Sequence, residues 1–215
     1  MQISEINNSR VHDLLQIHPE FLPDGFAAED MWVRETLTSC PWVVVRRAQA
    51  PAGQIAVGVR GATRSLRWAG FFSKDLVSKI IRPTELLVPG NLRSPALKAL
   101  QRVIEAWQEL TLPWGPTGSV GFELASGREV TADASDLDIA IRAQERISVT
   151  QARSLWERVS GLSTKVDILI ETPVCGFSLR EYTTSSTRIL LRCPDGMRLG
   201  EDPWAERSHS VVTSR

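Results

Sequence analysis

Two aspartates spaced i, i+2 are the residues of this chain best suited to chemistry. Asp136 and Asp138, in Ser135-Asp136-Leu137-Asp138-Ile139, alternate with aliphatic residues. In a strand, such positions project from one face roughly 6–7 Å apart. Two carboxylates side by side repel unless a cation lies between them, and oxygen-only ligands of this kind suit Mg²⁺ together with substrate phosphates. The competing reading is a strand with an acidic outward face, although Asp is depleted in strands. Asp167, in Lys165-Val166-Asp167-Ile168-Leu169, is a single acid inside an apolar, β-branched run. Either it faces solvent on an edge strand or it faces the same site as the pair. A buried carboxylate is costly without a partner, and a metal or hydroxyl would supply one. Gly118-Ser119, followed by Gly121, lets a backbone approach a phosphate, and free N–H groups at a helix start favour an anion there. A plain tight turn is the alternative.

The basic residues cluster only locally. Lys plus Arg number 25 and Asp plus Glu number 25, for a net charge of zero. A global field that would draw in nucleic acid is therefore not expected, and an anionic ligand must be met by a local patch. Arg60, Arg64 and Arg67 are spaced four and three residues apart. On a helical reading of residues 64–72, Arg64 and Arg67 share a face. Gly58 and Gly61 permit close backbone approach, and Arg suits bidentate phosphate contacts. Ordinary solvated arginines are the alternative. Arg46 and Arg47, adjacent on a strand, must point oppositely, so at most one joins the patch. Trp42 and Trp68 read as core before they read as an adenine-stacking wall. His12 with Asp13 forms either a functional pair or a capping and packing pair.

Other chemistries have less support. Cys40, Cys175 and Cys193 are odd in number and scattered, which argues against a disulfide framework or a Cys-rich metal site and for a reducing, cytoplasmic compartment. His12, His18 and His209 are far apart, so a His-ligated zinc site or a Ser-His-Asp triad has little support. No uncharged apolar run approaches the roughly 20 residues a spanning helix needs. MQISEINNSR lacks the basic flank and apolar stretch of a secretory signal.

These side chains need elements to hold them. VHDLLQI has an amphipathic start. Residues 42–47 and 54–60 read as a hairpin across Pro51 and Gly53. LVSKIIRPTELLVPG holds two short apolar runs broken by Pro83 and ended by Pro89-Gly90, and a domain boundary is placed near Gly90 to Arg93, giving domains at 1–90 and 91–215. In the second, Ser94 as cap and Pro95 at the first helical position open a helix carrying Leu97, Leu100, Val103, Ile104 and Trp107, to about Leu110. Further expectations are a short helix at 120–125, strands at 136–142 and 166–170, and a helix at 149–159 capped by Thr150. A short helix at 179–184 and a hairpin across Pro194-Asp195-Gly196 complete the reading. Mixed helices and strands with some antiparallel pairing give an α+β class: a small N-terminal α/β domain followed by a mixed-sheet domain.

A Gly-Ser turn, an Asp-x-Asp strand and a third Asp on a neighbouring strand together resemble the active site of the polymerase-β-like nucleotidyltransferase superfamily. There the turn cradles a triphosphate and three acids hold a pair of Mg²⁺ ions. The stretch between Ser119 and Asp136 is longer than usual for that superfamily, and LASGREVTADA fills it as a hairpin or loop. GPTGSVGFELASGREVTADASDLDIAI is similar to the signature block of the malonate decarboxylase holo-acyl-carrier-protein synthases, also called phosphoribosyl-dephospho-CoA transferases. RVHDLL, PWVVVRRA and VGVRGATRSLRWA look like that family's first half, and VDILIETP, RILLR and DPW like its second. The resemblance implies a nucleotidyltransferase-like catalytic domain with three acids and a phosphate-binding turn. It implies transfer from 2′-(5″-triphosphoribosyl)-3′-dephospho-CoA to a serine of the malonate decarboxylase acyl carrier protein, with pyrophosphate leaving. Asp136 and Asp138 would hold the metals, Asp167 would hold the catalytic one and take the serine proton, and Gly118 and Ser119 would bind phosphates. Arg60, Arg64 and Arg67 would meet the rest of the donor. Two alternatives are another nucleotidyltransferase using an ordinary nucleoside triphosphate, and a non-catalytic carrier-protein-binding subunit whose acids are only a solvated face.

Overall fold

Each half of the chain builds its own sheet over its own apolar core. The computed structural model describes residues 6–22, 27, 30–61, 63, 66–88, 90–185 and 187–205. Among them the first sheet comprises β1 (Leu14–Ile17), β2 (Trp42–Val45), β3 (Gln54–Arg60), β4 (Arg67–Ser73) and β5 (Val77–Ile81). Its order is β4-β3-β2-β1-β5, antiparallel throughout. Helix α1 (Met31–Ser39) buries Val33 and Leu37 against it, with Leu15, Val43, Val57 and Phe72.

Residues 67–72, expected to be helical, lie in strand β4. Trp68, Gly70 and Phe72 fall on one face at the two-residue period of a strand, and the segment pairs with all of β3, from Gln54↔Ser73 to Arg60↔Arg67. VHDLLQI supplies β1, which pairs on both sides. The apolar run before Pro83 is β5, and Pro83–Glu85 is a single 3₁₀ turn. Arg64 lies outside the described residues.

The second sheet contains β6 (Trp114–Pro116), β7 (Leu137–Arg142), β8 (Val166–Glu171), β9 (Gly176–Ser178), β10 (Ile189–Cys193) and β11 (Gly196–Gly200), in the order β11-β10-β9-β8-β7-β6. Only β7 and β8 are parallel. Helices α2 (Pro95–Ala106), α3 (Gly118–Ser126), α4 (Val149–Glu157) and α5 (Leu179–Thr184) complete an α+β arrangement. Ser94 caps α2 by accepting the Leu97 N–H at 3.3 Å. The helix ends four residues short of Leu110 because Trp107 turns into the core, donating Nε1–H to the Leu155 carbonyl at 3.3 Å and meeting Trp114 edge-on. Ser148, not Thr150, caps α4, in a capping box with Gln151.

The two halves are joined by an apolar cluster, in which Leu14, Trp42 and Leu86 pack with Phe122 and Leu124 of α3, by polar contacts and by one tight backbone approach. A Cβ on Gly115 of β6 would lie 1.9 Å from the Pro83 carbonyl oxygen. Fully buried Asp13 accepts from Arg142 of β7, and Glu171 of β8 binds both His12 and Arg47. Cys40, Cys175 and Cys193 are free and buried, and burial pushes the Cys175 thiol up to about 11. Among the described residues no helix is long and apolar enough to cross a membrane.

Candidate functional site

The pairing of β7 with β8 assembles the carboxylates. The parallel register sets Asp138 directly opposite Asp167, and Asp136 immediately precedes β7. Carboxylate oxygens of Asp136, Asp138 and Asp167 all lie within 4.8 Å of one another. Lys165 stands at the edge of this group, bonded to Asp167 and 3.7 Å from Asp136. Its ammonium is held above its ordinary value chiefly by the hydrogen bond to Asp167, with the charges of Asp136 and Asp138 adding. Asp167 is half exposed, so the solvent-facing reading describes its position, yet its carboxylate still belongs to the cluster.

The Gly-Ser turn is tied to the same strand. β6 runs antiparallel to β7, and beyond its last residue the Thr117 N–H donates to the Asp138 carbonyl at 2.8 Å. Gly118 then adopts φ +58, a left-handed conformation that favours glycine. A Cβ there would lie 2.0 Å from Asp138 Oδ2. Ser119 is buried in the first turn of α3, and Thr117 makes no side-chain capping bond to that turn. The helix start, where N–H groups and the macrodipole favour an anion, therefore abuts the acids without room for a side chain between.

Between the sheets lies a cleft of about 350 Å³, into which both halves of the chain reach. The second half contributes Gly118, Ser119, Asp136 and Asp138; the first contributes Arg46, Arg60, Arg67 and Trp68. Arg60 and Arg67 are register partners across β3 and β4. The hairpin brings these two together, and Arg67, expected on a helix with Arg64, lies on a strand. Of the adjacent pair, Arg46 lines the cleft and Arg47 turns to Glu171. Gly58 makes room for Arg46, whose Cδ would stand 3.1 Å from an added Cβ. Trp42 is core. Trp68 is both packing and wall: it stacks on Phe72 at 5.4 Å, donates to Asp30 and faces the cleft.

Glu123, Arg93, Lys165 and Glu171 carry weight that spacing alone does not reveal. Glu123 of α3 accepts from Arg93 and from the N–H groups of Val130 and Thr131, both at 2.8 Å. Thr131 in turn donates to Ser94. Burial pushes the Glu123 carboxyl up, but the hydrogen bonds from Arg93, Thr131 and Val130 outweigh it and hold it below the ordinary carboxylate range. This knot fixes the loop between Gly127 and Asp136, which contains no strand and hence no hairpin. Lys165, just before β8, and Glu171, its last residue, fall two residues before and four after Asp167, so only the alternation of that segment marks them.

A three-carboxylate cluster beside a helix start, at an arginine-walled cleft between two sheets, marks an α+β protein that gathers acidic and basic side chains at one cleft. The description "Phosphoribosyl-dephospho-CoA transferase MdcG N-terminal domain" matches residues 10–83, and the corresponding C-terminal domain matches residues 85–203. A phosphoribosyl-dephospho-CoA transferase of Pseudomonas putida is 39% identical over 201 residues, covering 93% of this chain and 97% of that protein. One from Azotobacter vinelandii is 37% identical, covering 84% and 88%, and one from Pseudomonas aeruginosa is 37% identical, covering 90% and 92%. The chain belongs to the phosphoribosyl-dephospho-CoA transferase family. No solved structure matches it.

Proposed function

We propose that this chain transfers the phosphoribosyl-dephospho-CoA group from 2′-(5″-triphosphoribosyl)-3′-dephospho-CoA to a serine of the malonate decarboxylase acyl carrier protein, releasing pyrophosphate. The single observation that carries the chemistry is the gathering of Asp136, Asp138 and Asp167 within 4.8 Å beside the Gly118-Ser119 turn. The names of the relatives support the transferred group.

The donor set fits Mg²⁺: three carboxylates are held together by strand register, and Gly118 leaves open the space beside Asp138 that a Cβ would occupy. Asp136 and Asp138 would hold two ions, and Asp167 would complete the site of one. Bound there, Mg²⁺ would neutralise charge on the transferring and leaving oxygens of an in-line displacement. Gly118 and Ser119 would bind the outer phosphates through backbone N–H and hydroxyl donors, with the α3 dipole behind them. Asp167, on the open rim, would orient the entering serine hydroxyl and accept its proton. The serine oxygen would bond to the α-phosphorus as the bond to the pyrophosphate oxygen breaks. Arg60 and Arg67 would hold the donor's remaining phosphate oxygens, with Arg64 on the segment between them in sequence.

On this reading residues 1–90 form a substrate- and carrier-binding domain and 91–215 a nucleotidyltransferase-like catalytic domain, with cytoplasmic action. The two sheets, confined to residues 14–81 and 114–200, support that division. The test is mass spectrometry of the apo carrier protein after incubation with this protein, donor and Mg²⁺. A mass gain equal to the prosthetic group is expected on one serine. An unmodified carrier, or a gain matching a nucleotide from added nucleoside triphosphates, would overturn the assignment.

A further inference from the structure

His12 is the one non-glycine residue with positive φ among the described residues, at +73. Such a conformation is strained in a residue with a Cβ and persists only where its surroundings over-determine it. Here they do. The His12 N–H donates to the Val45 carbonyl at 3.0 Å, and the Asp13 carbonyl accepts from the Val45 N–H at 2.9 Å. The Asp13 carboxylate accepts from the Arg10 N–H at 2.8 Å and from Arg142. The chain is thus clamped on both sides of a strained residue whose side chain lines the cleft.

The ring is also fixed. His12 Nε2 lies 3.0 Å from Glu171 Oε1, while Arg47 bonds the other carboxylate oxygen. Burial raises the Glu171 carboxyl, but the bond from His12 and the charges of His12 and Arg47 outweigh it and keep it ionised. Nε2 is then the donor to Glu171, and Nδ1 has no hydrogen-bond partner among the described residues. Gly176 permits this packing, since a Cβ there would lie 2.8 Å from Arg47 Nη2 and 2.9 Å from Glu171 Oε1. Arg47 already neutralises Glu171, so a protonated His12 is a surplus cation. It borders the cleft together with Arg46, Arg60 and Arg67 from the first sheet and Asp136 and Asp138 from the second. Asp13, its chain neighbour, is turned away to Arg142.

We propose that His12, oriented by Glu171, contacts substrate directly, its Nδ1–H donating to a phosphate oxygen of the polyphosphate that leaves. The inference rests on the reading that the cleft takes a triphosphate donor. It assigns His12 and Glu171 to an electrostatic unit in which Glu171 and Arg47 position the ring and His12 meets the ligand.

The test measures binding of Mg²⁺-tripolyphosphate by calorimetry to the wild-type chain, to His12→Gly and to His12→Asn. Glycine adopts positive φ without strain and Asn tolerates it, which offsets the lost bond to Glu171, so both variants should fold. The wild-type affinity should exceed that of either variant about tenfold to hundredfold near pH 6, the loss of a charge-assisted bond. Equal affinities of the wild type and both variants would overturn the inference and leave His12 a packing residue. Failure of the wild type to bind tripolyphosphate would instead overturn the donor reading on which it stands.

Discussion

Asp138 and Asp167 face each other as register partners across β7 and β8, so their carboxylates are neighbours by construction of the sheet. Adjacent strands lie only about 4.8 Å apart, and the like charges so placed, with Asp136 beside them, are costly without a cation. Lys165 lies at one edge of this cluster. Asp136→Asn and Asp138→Asn should each abolish transfer while leaving the unliganded protein as stable or more so. The checks are the carrier-protein mass assay and thermal melts with and without Mg²⁺; near-normal transfer by both variants at saturating Mg²⁺ would remove the metal assignment.

Asp167 is the more exposed of the three and has Lys165 on its carboxylate. If it holds metal and also accepts the serine proton, Asp167→Asn should lose about 10²–10⁴-fold in rate. Added Mg²⁺ should fail to restore it near neutrality, and the rate should climb with pH as hydroxide replaces the lost base. A pH–rate profile at saturating metal decides this. Wild-type rates throughout would reduce the site to two carboxylates.

Arg60 and Arg67 are paired across a hairpin at the cleft wall, away from the acids in sequence and in sheet. Arg60→Ala and Arg67→Ala should raise the donor KM about tenfold or more, for a loss of roughly 1.5–3 kcal/mol per charge-assisted contact, with a smaller effect on kcat. An unchanged KM in both variants would return them to the solvated surface.

Gly118 has two reasons to be glycine. Its φ is +58, and an added Cβ would stand 2.0 Å from Asp138 Oδ2. Gly118→Ala should lower stability by about 1–3 kcal/mol through backbone strain and should lower Mg²⁺ affinity by displacing Asp138. Gly127→Ala is the control: its φ is +71 but nothing lies within 4 Å of the added Cβ, so it should be strained yet keep its metal affinity. Equal metal affinity in both variants would mean that Gly118 serves only the turn.

Glu123 and Glu171 both sit below the ordinary carboxylate range when folded, because donors and cations outweigh burial. A depressed folded value stabilises above the unfolded one, about 4.3, and that stability drains away as pH falls through the folded value. Glu123→Gln should therefore cost roughly 1.5–3 kcal/mol near neutrality and flatten the loss of stability on acidification. Urea unfolding at about pH 7 and about pH 4 checks it. Parallel curves for variant and wild type would show that Glu123 does not set the acid limb.

Local patterning wrote much of the second half into the chain. Ser94-Pro95 begins α2, residues 179–184 form α5, and the alternation around Asp136 and Asp167 marks β7 and β8. These signals are short in range: a cap, a period, a turn residue. The first half was harder, because residues 64–72 carry both periods over so few positions. Only pairing with β3 resolves them, and that contact is invisible to a local reading.

The sequence by itself determined which residues could meet phosphate and metal, because residue chemistry and i, i+2 spacing survive any fold. Tertiary structure decided which of them meet. Strand register put Asp138 opposite Asp167, a hairpin put Arg60 opposite Arg67, and the approach of the two sheets set His12 on Glu171, 159 residues away. Such contacts depend on register and on packing across the cleft, and no local period encodes either.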